Sequence, residues 1–205
     1  EFKLISKKNP KSLLPNALTI FGVCLGLSSI KFALDANYAM AIIAIGFAAI
    51  LDTLDGRVAR LIKGTSKVGK ELDSLTDVIS FGVAPGFIMY FWALNEIGKF
   101  GWMFVLIYTV CCALRLARFN LMVIEENETW KINFFEGVPS PAAAGLVLLP
   151  LILNLSGLFQ FENYALLSSI TILTTSILMV SKIPTYSLKR ILIPRHLAIF
   201  LLLGI

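Results

Sequence analysis

The sequence predicts an all-α fold, a polytopic bundle of transmembrane helices, on three observations. Hydrophobic residues fill 57% of its 205 positions, against roughly 45–50% in soluble domains. The mean hydropathy is +0.81. The apolar residues fall in long runs, with basic residues concentrated between alternate runs. One soluble core could not hide so much Leu, Ile, Phe and Ala, whereas lipid-facing helices of about 20 residues can. The runs lack the two-residue alternation that a membrane β-barrel requires.

Taken in order, six runs are expected to cross the bilayer: Leu13–Leu34, Tyr38–Ile62, Leu75–Leu94, Phe100–Leu121, Pro139–Leu155 and Tyr164–Val180. The first has a polar start, Asn16 and Thr19 after Pro15, where a proline suits a first helical turn. A tight turn, Lys63-Gly64-Thr65-Ser66, is expected to fold the second span back against the third. Pro139 and Pro141 open the fifth. A seventh run after His196 reaches only Ile205, about half of a crossing, and reads as a helix cut short. The expected division is a six-span membrane domain over 1–182 and, over 183–205, a basic loop with a partial transmembrane or interfacial helix. The opening Glu1-Phe2, without an initiator Met, reads as a cloning remnant, and the long first run followed by further spans argues against a secretory signal.

Lys3, Lys7, Lys8 and Lys11 precede the first span; Lys63, Lys67 and Lys70 follow the second; Arg115, Arg118 and Lys131 follow the fourth; Lys182, Lys189, Arg190 and Arg195 follow the sixth. The opposite loops offer little beyond Lys99. An even number of spans with a cytoplasmic N-terminus puts all four clusters on one face of the cell membrane. The net charge of +5 is therefore local and suits anionic headgroups and phosphates. No interleaving of aromatic and basic residues suggests nucleic-acid binding. Cys24, Cys111 and Cys112 lie within spans and lack zinc-ligand spacing, so they read as packing residues. His196 stands alone beside Arg195 at a span boundary, and the Asn127-Glu-Thr129 sequon falls in a loop placed inside.

Against this apolar background, residues 52–77 read DTLDGRVARLIKGTSKVGKELDSLTD. Asp52 and Asp55 are three apart near the inner end of the second span, and Asp73 and Asp77 four apart near the start of the third. Each pair therefore shares a helix face, and antiparallel packing brings all four carboxylates to one depth. Crowded carboxylates in a low-dielectric site repel one another, so they protonate or gather cations. Two hard divalent ions with oxygen ligands would offset four charges. Gly56 and Ala59 continue the first carboxylate face and Gly69 precedes Asp73 by one turn, leaving a groove beside Arg60, a cation suited to bidentate phosphate binding. Ion pairing with Arg57, Arg60, Lys63, Lys67 and Lys70 would account for the charge balance but not for the small residues.

The pattern Asp52-x2-Asp55-Gly56-x2-Ala59-Arg60-x8-Gly69-x3-Asp73-x3-Asp77 resembles the signature of the CDP-alcohol phosphotransferases at all eight positions. The resemblance implies a six-helix core, usually homodimeric, and two divalent metal ions, Mg2+ or Mn2+ with Ca2+ also fitting. It implies transfer of a phosphoalcohol from a CDP-linked donor to a hydroxyl acceptor, with release of CMP. Asp52, Asp55 and Asp73 would bind metal; Asp77 would complete the site and act as general base. Gly56, Ala59 and Gly69 would make room for the nucleotide, Arg60 would face the diphosphate, and Asn16 and Thr19 would be further nucleotide contacts.

Two more stretches, ALRLARFN at 113–120 and FFEGVPSPAAAG at 134–145, resemble the branch of that family whose donor is CDP-diacylglycerol and whose acceptor is L-serine. Arg118 and, one turn away, Arg115 could anchor the serine carboxylate, with Arg118 slightly preferred; ordinary positive-inside flanking is the competing reading. Glycerol 3-phosphate or an inositol derivative is the alternative acceptor. A divalent cation transporter is the alternative of another class; it predicts mid-membrane carboxylates, broken helices and repeats, none of which is apparent in the sequence.

Overall fold

The computed structural model describes residues 13–61, 67–125, 134–157, 162–181 and 184–186. The turn at 63–66, the sequon at 127–129, the run after His196 and both chain ends lie outside them. The fold is an all-α bundle, as the composition requires. Its helices are α1 Leu13–Leu34, α2 Tyr38–Leu61, α3 Lys67–Asp77, α4 Ala84–Trp92, α5 Lys99–Glu125, α6 Ser140–Leu155 and α7 Tyr164–Val180. A π-helical turn, Val78–Val83, joins α3 to α4, so these two form one interrupted rod. Six rods result among the described residues.

Four of the rods, Pro15–Leu34, Tyr38–Val58, Gly69–Trp92 and Lys99–Asn120, are long and apolar enough to cross a bilayer; α6 and α7 are apolar but shorter. The chain is a multi-pass membrane protein. Large apolar side chains such as Phe21, Phe47, Leu75, Phe100 and Ile177 point outward, as lipid-facing positions should. Inside, Phe81, Ile88, Met89, Tyr108, Leu148, Leu151 and Ile172 form one core.

Local chemistry sets the ends. Asn37 caps α2 by accepting the Met40 N–H at 3.3 Å, and Asn163 caps α7 by accepting that of Leu166 at 2.9 Å, the usual work of an asparagine at a helix start. The third span was expected to begin at Leu75; the helix begins at Lys67 instead. Its first turns are polar, and a search for apolar runs does not register them. α1 packs along α2 and against α4, while α5 and α6 both pack on α7. Phe134–Glu136 and Pro184–Tyr186 form a short antiparallel pair, β1 and β2, in the register Phe134 to Tyr186.

Pro85, just after the π-turn, has no N–H to offer the Phe81 carbonyl four residues earlier, and in lipid such a carbonyl must find another donor. α5 supplies it: the Tyr108 hydroxyl donates to the Phe81 carbonyl at 2.8 Å, and Thr109 donates to that of Gly82 at 3.4 Å. From the other side, Ser80 donates to the Gly22 carbonyl at 3.4 Å. The turn that follows Asp77 is thus held between α1 and α5. At the far end of the rods lies a pocket of about 320 Å³ bounded by Trp92, Ala93, Glu96, Glu162, Asn163 and Tyr164, remote from the aspartates.

Candidate active site

α2 and α3 bring the carboxylates of Asp52, Asp55 and Asp73 together, with an oxygen from each lying within 4.8 Å of the others. The i, i+3 spacing puts Asp52 and Asp55 on one face of α2, and that face meets α3 at Asp73. Asp55 is only 4% exposed. The Thr19 hydroxyl, on α1, donates to its Oδ2 at 2.7 Å while lying 3.0 Å from the Pro15 carbonyl. The backbone N–H of Gly56 also reaches the Asp55 carboxylate. Thr19 therefore supports a carboxylate directly; Asn16, one turn earlier, is partly buried. Gly69 and Gly56 are partly buried on the two facing helices, while the side chains of Ala59 and Arg60 lie outside the described part of the structure.

Asp77 sits one turn beyond Asp73, outside the tight triad but within electrostatic reach of Asp52 and Asp73. Its Oδ1 is buried without a hydrogen-bond partner among the described residues. An ionised oxygen in that position is costly unless a cation or a donor reaches it. Hard oxygen ligands in a triad, with an open acceptor beside them, suit a divalent cation.

Arg115 of α5 is close enough for its charge to act on Asp77. Arg115 Nη1 donates to Ser140 Oγ, at the start of α6, at 2.8 Å, and its Nε is buried without a partner among the described residues. Arg118, slightly preferred as acceptor anchor on sequence grounds, donates from Nη1 to the Val180 carbonyl at 3.0 Å, at the end of α7. The two arginines are three residues apart, and the helix gives each a different neighbour.

Further along α5, Asn120 donates to Ser74 Oγ at 2.9 Å, and Ser74 donates to the Lys70 carbonyl at 3.2 Å. This ties the C-terminal part of α5 to α3 between the two aspartates of that helix.

A family model described as CDP-alcohol phosphatidyltransferase matches residues 12–186. The chain belongs to that family. Among CDP-alcohol phosphatidyltransferase relatives, it is 40% identical over 187 residues to the CDP-diacylglycerol–serine O-phosphatidyltransferase of Mycobacterium leprae, covering 91% of this chain and 62% of that protein. The protein of the same name from Helicobacter pylori strain 26695 is 41% identical over 183 residues, covering 89% and 76%. That of Bacillus subtilis is 35% identical over 170 residues, covering 83% and 88%. The chain thus spans less than two thirds of the length of the mycobacterial relative.

Within this CDP-alcohol phosphatidyltransferase fold, sequence reasoning did not single out Ser140, Ser74, Asn120 or Tyr108. Ser140 carried a usable signal, since it stands between two prolines at a helix start. The other three are ordinary polar residues; Asn120 and Ser74 find each other across α5 and α3, and Tyr108 finds the Phe81 carbonyl of the π-turn.

Proposed function

We propose that this chain is an integral-membrane CDP-diacylglycerol–serine O-phosphatidyltransferase, which moves the phosphatidyl group of CDP-diacylglycerol to the hydroxyl of L-serine and releases CMP. The observation that carries this reading is the convergence of Asp52, Asp55 and Asp73 beside the open Asp77 oxygen. The names of the relatives supply the substrates. Asp52, Asp55 and Asp73, with Asp77 alongside, would hold two divalent ions, Mg2+ or Mn2+ with Ca2+ also fitting. When bound, such ions supply charge neutralisation for the diphosphate and the departing CMP.

The chain's own residues do the rest. Gly56, Ala59 and Gly69 leave room for the nucleotide, Arg60 faces the diphosphate, and Asn16 lies near enough to the α1 start to contact the nucleotide. Thr19 fixes Asp55. Asp77 Oδ1 takes the proton of the serine hydroxyl as its oxygen bonds to the phosphorus carrying diacylglycerol, and the bond from that phosphorus to CMP breaks. Arg115 anchors the serine carboxylate, while Arg118 caps α7. The six-helix domain, 1–182, does this chemistry at the cytoplasmic face of the cell membrane, as a homodimer, with 183–205 as a separate basic loop and partial helix.

The test is CMP release from CDP-diacylglycerol with a panel of acceptors. Serine should be used. Serinol, which keeps the hydroxyl and amine but has no carboxylate, should be poor, and so should glycerol 3-phosphate and inositol. Arg115→Ala should raise the KM for serine far more than that for the lipid. Preference for glycerol 3-phosphate or an inositol derivative would reassign the acceptor, and absence of CMP release with any alcohol would remove the reaction itself.

A further inference from the structure

We propose that Ser140 is a positioning residue for acceptor specificity: it holds Arg115 by Nη1 and so aims the other edge of the guanidinium at the acceptor's carboxylate. The inference rests on the proposed reading of Arg115. Ser140 is wholly buried at the first position of α6, between Pro139 and Pro141. Proline lacks an N–H and fixes φ, so neither neighbour competes for the hydroxyl oxygen, and the serine side chain is not used as a helix cap. Instead the oxygen accepts from Arg115 Nη1 at 2.8 Å, while the hydroxyl also lies in hydrogen-bonding reach of Cys112. Cys112 and Arg115 share a face of α5, so one helix holds Ser140 from two positions.

A guanidinium is planar, with its donors in a fixed fork. Pinning Nη1 fixes the direction of the edge made by Nε and Nη2, and Nε is the buried donor left without a partner among the described residues. Asp77 Oδ1 is a buried acceptor in the same condition, and Arg115 is among the groups whose charge it feels. A donor and an acceptor of this kind, held near each other, match an amino alcohol that carries a carboxylate. The carboxylate meets Nε, and the hydroxyl proton meets Asp77. An acceptor without the carboxylate leaves Nε buried and unpaired, a strong ground for rejection. Ser140 touches no reacting atom in this scheme; it acts through Arg115.

The experiment is a double-mutant cycle read in the serine KM of the full chain. Ser140→Ala, and the nearly isosteric Ser140→Cys whose sulfur is a weak acceptor, should each raise that KM about tenfold, the scale of a lost hydrogen bond to a charged group. The KM for CDP-diacylglycerol should stay within about twofold, since the lipid makes no use of this edge. In an Arg115→Ala background the same changes should add nothing further. Additive losses in the two backgrounds, an unchanged serine KM, or equal losses for both substrates would overturn the inference. Failure of the underlying reading has a separate signature: the parent would not release CMP with serine, or Arg115→Ala alone would leave the serine KM unchanged. Either result overturns both.

Discussion

Gly26→Ala tests how α1 meets the π-turn behind Asp77. A Cβ at position 26 would stand 2.5 Å from Ser80 Oγ, 3.0 Å from Ser80 Cα and 3.1 Å from Ser80 Cβ. The hydroxyl can rotate away, but the Cα belongs to the backbone. Restoring contacts of about 3.5–4.0 Å requires α1 and the turn to part by roughly 0.5–1 Å. Ser80 lies three residues after Asp77, and Thr19, two turns before Gly26, holds Asp55. The parting is therefore felt on both sides of the carboxylate cluster. Overpacking of this kind costs about 1–3 kcal/mol, against up to about 1 kcal/mol gained in helix propensity.

Gly22→Ala is the matched control, because its Cβ would lie 3.5 Å from Thr76 Cγ2, an ordinary contact. It carries the same propensity gain without the clash. Unfolding temperature in detergent and CMP release, measured side by side, read the difference. Gly26→Ala should unfold several degrees lower, at roughly 2–4 °C per kcal/mol, and lose at least tenfold in rate, since misplacement by 1 Å can cost about 10²-fold. Gly22→Ala should match or exceed the parent in both. Identical behaviour of the two variants would refute the close approach of α1 to Ser80.

Asp52→Asn or Asp73→Asn should abolish turnover and weaken Mn2+ binding measured by calorimetry; full activity in EDTA-treated protein shown to be metal-free would sink the cation reading. Asp77→Asn should keep CDP-diacylglycerol binding while transfer falls by about 10²–10⁴-fold, whereas joint loss of donor affinity and rate would make it mainly a cation ligand. Tyr108→Phe strands the Phe81 carbonyl, now bonded at 2.8 Å, and should cost about 1–2 kcal/mol in reversible unfolding; an unshifted midpoint would contradict the role given to that bond.

The helical architecture was readable because lipid imposes length and polarity on every span. The bounds of α1 and α7 coincide with apolar runs, and α6 begins one residue after Pro139. The start of α3 was not readable in that way, because Lys67, Lys70 and Glu71 are charged and belong to the helix all the same. The carboxylate triad was legible in part: i, i+3 spacing puts Asp52 and Asp55 on one helix face. The antiparallel packing expected of the second and third spans is not how Asp73 reaches them, since α2 and α3 each pack mainly on α1 and meet at the carboxylates. The choice between Arg115 and Arg118 was not legible, since it depends on which neighbour each side chain meets across the bundle. Ser140 supplies one and the Val180 carbonyl the other. Pro85 is a local signal of the interrupted third span, since it offers no N–H to the Phe81 carbonyl four residues earlier; what the local sequence does not announce is the compensating donor, Tyr108, 27 residues further along the chain.

Gly137, just before the Pro139-Ser140 corner, has φ +76°, and a Cβ there would stand 2.6 Å from the Met179 carbonyl, 3.1 Å from that of Ser181 and 3.2 Å from that of Leu178. Its neighbours are backbone atoms, which no side-chain change on α7 removes. The docking therefore has an asymmetric tolerance to mutation. Exposed positions of α7 such as Ile177 can drift among apolar residues without disturbing it, while position 137 admits glycine alone, for both its φ and its space. A library selected for a new acceptor should accordingly vary the exposed face of α7 and leave residue 137 fixed, because a change there moves the corner that carries Ser140 before it alters any contact with substrate.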